Sequence, residues 1–167
     1  MPTGDALSAF PRAIPHSTAR PELTYRVVPG LFAVHGPLPD RLKAQLWLEL
    51  EEGRMFVCRG DPEGALEAAP GATVVPVYAL QPGGAPAVPT GRVFVRFAEG
   101  VRAEDRREEI ERAGYRVVET VPYAPQAVWV ESADGSIAAG LSCTPRLETL
   151  RDAVNVEPEI LSKRVTR

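Results

Sequence analysis

The chain has 167 residues, 44% of them apolar and 25% charged, with a formal net charge of -3. That length bounds it to one ordinary domain or two small ones, and the apolar content suits a globular core. The acidic balance argues against a general nucleic-acid binder, which needs a basic face to displace counterions, and no window approaches the ~20 apolar residues of a membrane helix.

Seventeen prolines, about twice the usual share, punctuate mainly the first half. Residues 1–22 carry Pro2, Pro11, Pro15 and Pro21 with little periodicity and read as a flexible arm. They hold no apolar run behind a basic start, so no secretory signal is expected. Thr24–Val28 reads as a strand stopped by Pro29-Gly30, and Leu31–Val34 as another. Ala44, Leu46, Leu48 and Leu50 alternate with Gln45, Trp47 and Glu49, a period of two that predicts a strand. A helical turn is open at Asp40–Ala44. Glu51–Arg54 predicts a hairpin turn in which Gly53 supplies positive φ, with Met55–Arg59 as the return strand. Asp61–Ala69 predicts a short helix closed by Pro70-Gly71. Ala72–Leu80 predicts a Val-rich strand that Pro76 confines to an edge or bulge. Residues 23–80 thus form a small β-rich domain, and the run QPGGAPAVP makes 81–90 the linker.

The second half, 91–167, is more regular. Arg92–Phe97 (RVFVRF) alternates and predicts a strand. Ala103–Ala113 is charge-rich and predicts a helix stopped by Gly114. Tyr115–Val121 and Gln126–Glu131 (QAVWVE) are the next strands. Ser136 caps a helix, which Thr144-Pro145 divides in two, and Val154–Ile160 is the last strand. The order β-α-β-β-α-β predicts a ferredoxin-like arrangement, so the expected class is α+β. With the valines of each strand toward the helices, the open face carries Phe94, Arg96, Trp129, Asn155 and Glu157.

RVFVRF, the Glu/Arg-rich helix, Gly-Tyr-Arg-Val-Val at Gly114–Val118, Tyr123-Ala124-Pro125 and above all Val154-Asn155-Val156-Glu157-Pro158-Glu159 together resemble the propeptide, or peptidase-inhibitor, domain of subtilases. These are serine proteases of the subtilisin class. The resemblance covers about half of the chain, from Gly91 on, and departs from the simplest members by the preceding residues and by the divided second helix. It implies a non-catalytic chaperone and inhibitor that lays its sheet face on a subtilisin-like serine protease, in cis or in trans. Glu157 would meet helix N-termini of the partner, where orphan N–H groups favour a carboxylate. Glu119 and Glu131 are weaker choices. Pro158, Glu159, Ile160, Leu161, Ser162, Lys163, Arg164, Val165, Thr166 and Arg167 would enter the substrate cleft as an extended strand.

Other chemistry finds little footing. Phe94–Phe97 matches the end of an RNA-recognition motif, without its glycines and on the wrong strand. His16 and His35 have no serine elbow or oriented carboxylate beside them in sequence. With Cys58 and Cys143 they lack metal-ligand spacing, so no metal, cofactor or self-contained enzyme is expected. Two distant cysteines point to a reducing, cytoplasmic setting. The alternatives are a ferredoxin-like interaction or regulatory module without a protease partner, and a ligand-sensing domain of the same topology.

Overall fold

A computed structural model describes residues 7–81 and 83–163. The chain divides into two compact units. Unit 1 takes residues 7–12, Tyr25–Pro89 and 160–163; unit 2 takes Ala13–Thr24 and Thr90–Glu159. In chain order the strands are β1 (Ala13–Ser17), β2 (Arg20–His35), β3 (Leu46–Leu50), β4 (Met55–Arg59), β5 (Thr73–Gln81), β6 (Pro86–Phe97), β7 (Tyr115–Thr120), β8 (Ala127–Ser132) and β9 (Ala153–Ser162). The helices are α1 (Pro62–Ala68), α2 (Arg107–Arg112), α3 (Ile137–Ser142) and α4 (Thr144–Glu148), with 3-10 turns at Asp40–Gln45, Glu51–Gly53 and Ala103–Arg106.

Unit 1 is built on β3, β4, the later part of β2, β5 and the start of β6, hydrogen-bonded in that order. Phe32 stands opposite Cys58 and Val34 opposite Phe56, while Leu50 meets Met55. Phe32, Val34, Leu42, Cys58, Ala65 and Val74 form its core. Asp61 caps α1 through its carboxylate, which accepts the Glu63 N–H at 3.2 Å. The turn between β3 and β4 puts not only Gly53 but also Glu51 and Glu52 at positive φ, 50° and 52°, a region costly for residues with a Cβ.

Unit 2 pairs β6 with β8 and β8 with β7, and β9 pairs β6. Val93, Val95 and Phe97 alternate onto the buried face of β6, Val128 and Val130 onto that of β8. They close a core with Ile110 of α2, Leu147 of α4, Tyr115 and Val156. At the start of α3 the Ser136 hydroxyl accepts the Ala139 N–H at 3.1 Å. Asp134 accepts from the Ser132 hydroxyl at 2.6 Å and from the Ser136 N–H at 2.9 Å. These two bonds, the hydroxyl first, hold its carboxyl below the ordinary carboxylate range.

The expected α+β class with a ferredoxin-like second domain is corrected. The chain is mostly β, 47% strand against 24% helix, with an antiparallel sheet. The cause lies in strand length. β2, β6 and β9 run past the bounds that prolines and glycines indicate, and each contributes residues to both units. The arm expected over 1–22 holds strand β1 and the start of β2; Met1 to Ala6 lie outside the described residues. Thr24–Val28 and Leu31–Val34 are one strand, with Gly30 at φ 78°. Five residues of the expected 81–90 linker, Pro86 to Thr90, lie in β6, and Gln81 ends β5. Proline fixes φ at a value extended backbone accepts and removes only a donor, so at a position that donates no ladder bond it does not stop a strand.

Candidate interaction face

The antiparallel register sets Phe94 directly opposite Trp129, with Val93 opposite Val130 and Val95 opposite Val128. Successive side chains alternate faces, so burial of the four valines turns both aromatics to the other side of the sheet. There the two rings, both half-buried, meet edge to face with centroids 5.2 Å apart and planes 60° apart. This is the geometry that the ring quadrupoles favour. The Arg92 guanidinium lies 4.7 Å from the Trp129 ring centre, a cation–π contact. Its Nη2 donates to Glu119 Oε2 at 2.7 Å, and its Nε is buried without a hydrogen-bond partner. Further along β7 and β8, Arg116 donates to Glu131 through Nε at 2.7 Å and also through Nη2. The face therefore presents an aromatic pair ringed by fixed charges of both signs.

Arg96, opposite Ala127, is exposed on the same strand as Phe94. β9 departs from the expected alternation. Val156 is 3% exposed and joins the core, but Val154 is 46% exposed rather than a core anchor. Asn155, expected on the partner face, is buried. Its Oδ1 accepts from the Thr18 hydroxyl at 3.2 Å and from the Ala19 N–H at 3.4 Å, and Val156 and Thr18 add two more bonds between these segments. The turn between β1 and β2 occupies that position, so Asn155 serves the fold. Glu157 is half-buried.

Pro158 does not end the strand. It is buried within β9, which continues through Glu159, Ile160, Leu161 and Ser162. Ile160–Lys163 belong to unit 1 and the aromatic pair to unit 2. Arg164, Val165, Thr166 and Arg167 lie outside the described residues.

The stacking of Arg92 and the pairs Arg92–Glu119 and Arg116–Glu131 went unread in the sequence. Their signal is cross-strand adjacency, which needs the register. Glu119 reaches the row of Trp129 only because β7 has a bulge between Val117 and Glu119.

Among the described residues, no group of three or more His, Cys, Asp or Glu side chains is placed to hold a metal ion. Cys58 and Cys143 are free thiols, and burial pushes that of Cys58 up in pKa. No described helix is long and apolar enough to cross a membrane. In comparisons with protein-family models, curated proteins and solved structures, nothing matches this chain.

Proposed function

We propose that this chain is a non-catalytic protein-interaction module that docks a partner on the Phe94–Trp129 face. The observation that carries the reading is the aromatic pair itself, half-exposed on a sheet face and held in one geometry by Arg92. Rigid aromatics with an adjoining arginine are the residue types that dominate binding energy at protein interfaces. Holding them in place before binding lowers the entropy lost on docking. A reducing, cytoplasmic setting goes with this reading.

The partner to test first is a subtilisin-like serine protease, on the strength of the Val154–Glu159 resemblance. Inhibition in the propeptide manner asks for a free segment from Pro158 onward, whereas Pro158–Ser162 is strand. For that segment to reach a cleft, the end of β9 has to leave its ladder. Docking through the face without occupation of the cleft asks for no such change, and it is the reading preferred here.

One experiment separates the two. The purified chain is mixed with a subtilisin-like protease, and the complex is treated with a small active-site-directed phosphonate. Face docking predicts a complex in which the catalytic serine still labels at its free rate. Protection of that serine, together with loss of peptidase activity, would establish the inhibitor reading instead.

A further inference from the structure

Unit 1 contains a cavity of about 270 Å³. Its walls are mixed: Phe10, Val28, Leu31, Pro62 and Pro76 give an apolar side, and Ser8 and Arg12 a polar one. The prolines bring rigid rings and no N–H donors, so this part of the wall is stiff and offers a ligand little hydrogen bonding. The 3.1 Å hydrogen bond from Val27 N–H to the Arg12 carbonyl, and the 2.7 Å bond from the Tyr78 hydroxyl to the Pro11 carbonyl, tie the N-terminal side of the cavity to the sheet. Both reinforce a preformed shape.

One charged side chain lines this cavity, that of Arg12. It is exposed and makes no ion pair within the described residues. A small-molecule site is typically an apolar hollow of ~300–1,000 Å³ with a few polar groups that fix orientation. This one, at about 270 Å³, falls just below that range and suits a small ligand, with a single cation supplying the orientation. From these features we infer that the cavity binds a small amphipathic carboxylate, its apolar body against Leu31 and the prolines and its carboxylate on the Arg12 guanidinium. A guanidinium fork matches a carboxylate in two parallel charge-assisted hydrogen bonds, a match that neither an alcohol nor an amine of the same length reproduces.

The test titrates the full ¹⁵N-labelled chain with octanoate, octanol and octylamine and follows the amide spectrum. The inference predicts saturable shifts with octanoate, centred on residues 7–12 and 27–31, at least about tenfold tighter than with octanol, a difference of ~1.4 kcal/mol. Octylamine binds more weakly still. Arg12→Gln, at an exposed position, reduces octanoate to the affinity of octanol and leaves octanol unchanged. Leu31→Trp, which fills the hollow, removes both. Shifts that fail to saturate, shifts centred in unit 2, equal affinity for acid and alcohol, or an Arg12→Gln variant that still prefers the acid would each overturn the inference. If Leu31→Trp does not fold, the Arg12→Gln comparison still decides it.

Discussion

Tyr115 is 1% exposed, and its hydroxyl donates to the Gly140 carbonyl at 2.7 Å. Burial pushes its pKa far up, so it stays a neutral donor at any working pH. Tyr115→Phe leaves the ring in the core but strands a carbonyl, and the expected cost is about 1–3 kcal/mol in urea unfolding. His35 gives a pH signature in unit 1. Burial lowers its pKa from the ordinary 6.5, partly offset by the 2.9 Å hydrogen bond from its Nε2–H to the Pro89 carbonyl. The unfolded chain therefore takes up this proton before the folded one does. The stability tied to neutral His35 is fully present above about pH 6.5 and is lost as pH falls below it. His35→Gln keeps an N–H donor without the titration. Its urea midpoint should fall less than that of the parent chain between about pH 7.5 and pH 5.5, and equal falls would contradict the assignment. Both side chains were plain letters in the sequence, one a strand tyrosine and the other a loop histidine. Their roles depend on carbonyls 25 and 54 residues away, which no local pattern reveals.

β6 and α3 approach each other through glycine. A Cβ on Gly140 would stand 2.9 Å from the Gly91 carbonyl oxygen, and Gly91 itself sits at φ 90° with Ile137 beside it. Backbone atoms cannot swing aside as a side-chain tip can. Gly140→Ala should therefore destabilise unit 2 by about 1–3 kcal/mol through overpacking, although alanine is the better helix former. A stability gain in thermal unfolding would show that the approach is looser than this. The two edge strands of the order β3-β4-β2-β5-β6-β8-β7 are each irregular, β3 between Leu46 and Leu48 and β7 between Val117 and Glu119. Bulges and charges at a sheet edge discourage pairing with other chains. The exposed Leu46, Trp47 and Val118 lie on these irregular edge strands. At this scale much was legible. RVFVRF and QAVWVE show their period directly, and Ser136 is a cap that names its own helix. The start of β6 was not legible, because Pro86 and Pro89 carry the composition of a linker while adopting extended backbone.

The sequence order strand–helix–strand–strand–helix–strand over 92–160 is present as segments, yet it did not specify the fold class. Segment order says nothing of how far β2, β6 and β9 extend, and that extension is what makes the chain mostly β. The face of Phe94 and Trp129 was legible from alternation alone, since four valines claim the other side. The removal of Asn155 from it was not, because Thr18 lies 137 residues away. The proposed function stands or falls with that face as the place where a partner binds. Its most direct test is a binding titration of the full chain with a subtilisin-like serine protease whose substrate cleft is already filled by a covalently bound peptidyl phosphonate, so that cleft entry cannot contribute. Face docking predicts saturable binding, weakened at least about tenfold by Trp129→Ala, ~1.4 kcal/mol, and unchanged by Trp47→Ala in unit 1. No binding at micromolar concentrations, or equal affinity of the Trp129→Ala chain, would contradict it.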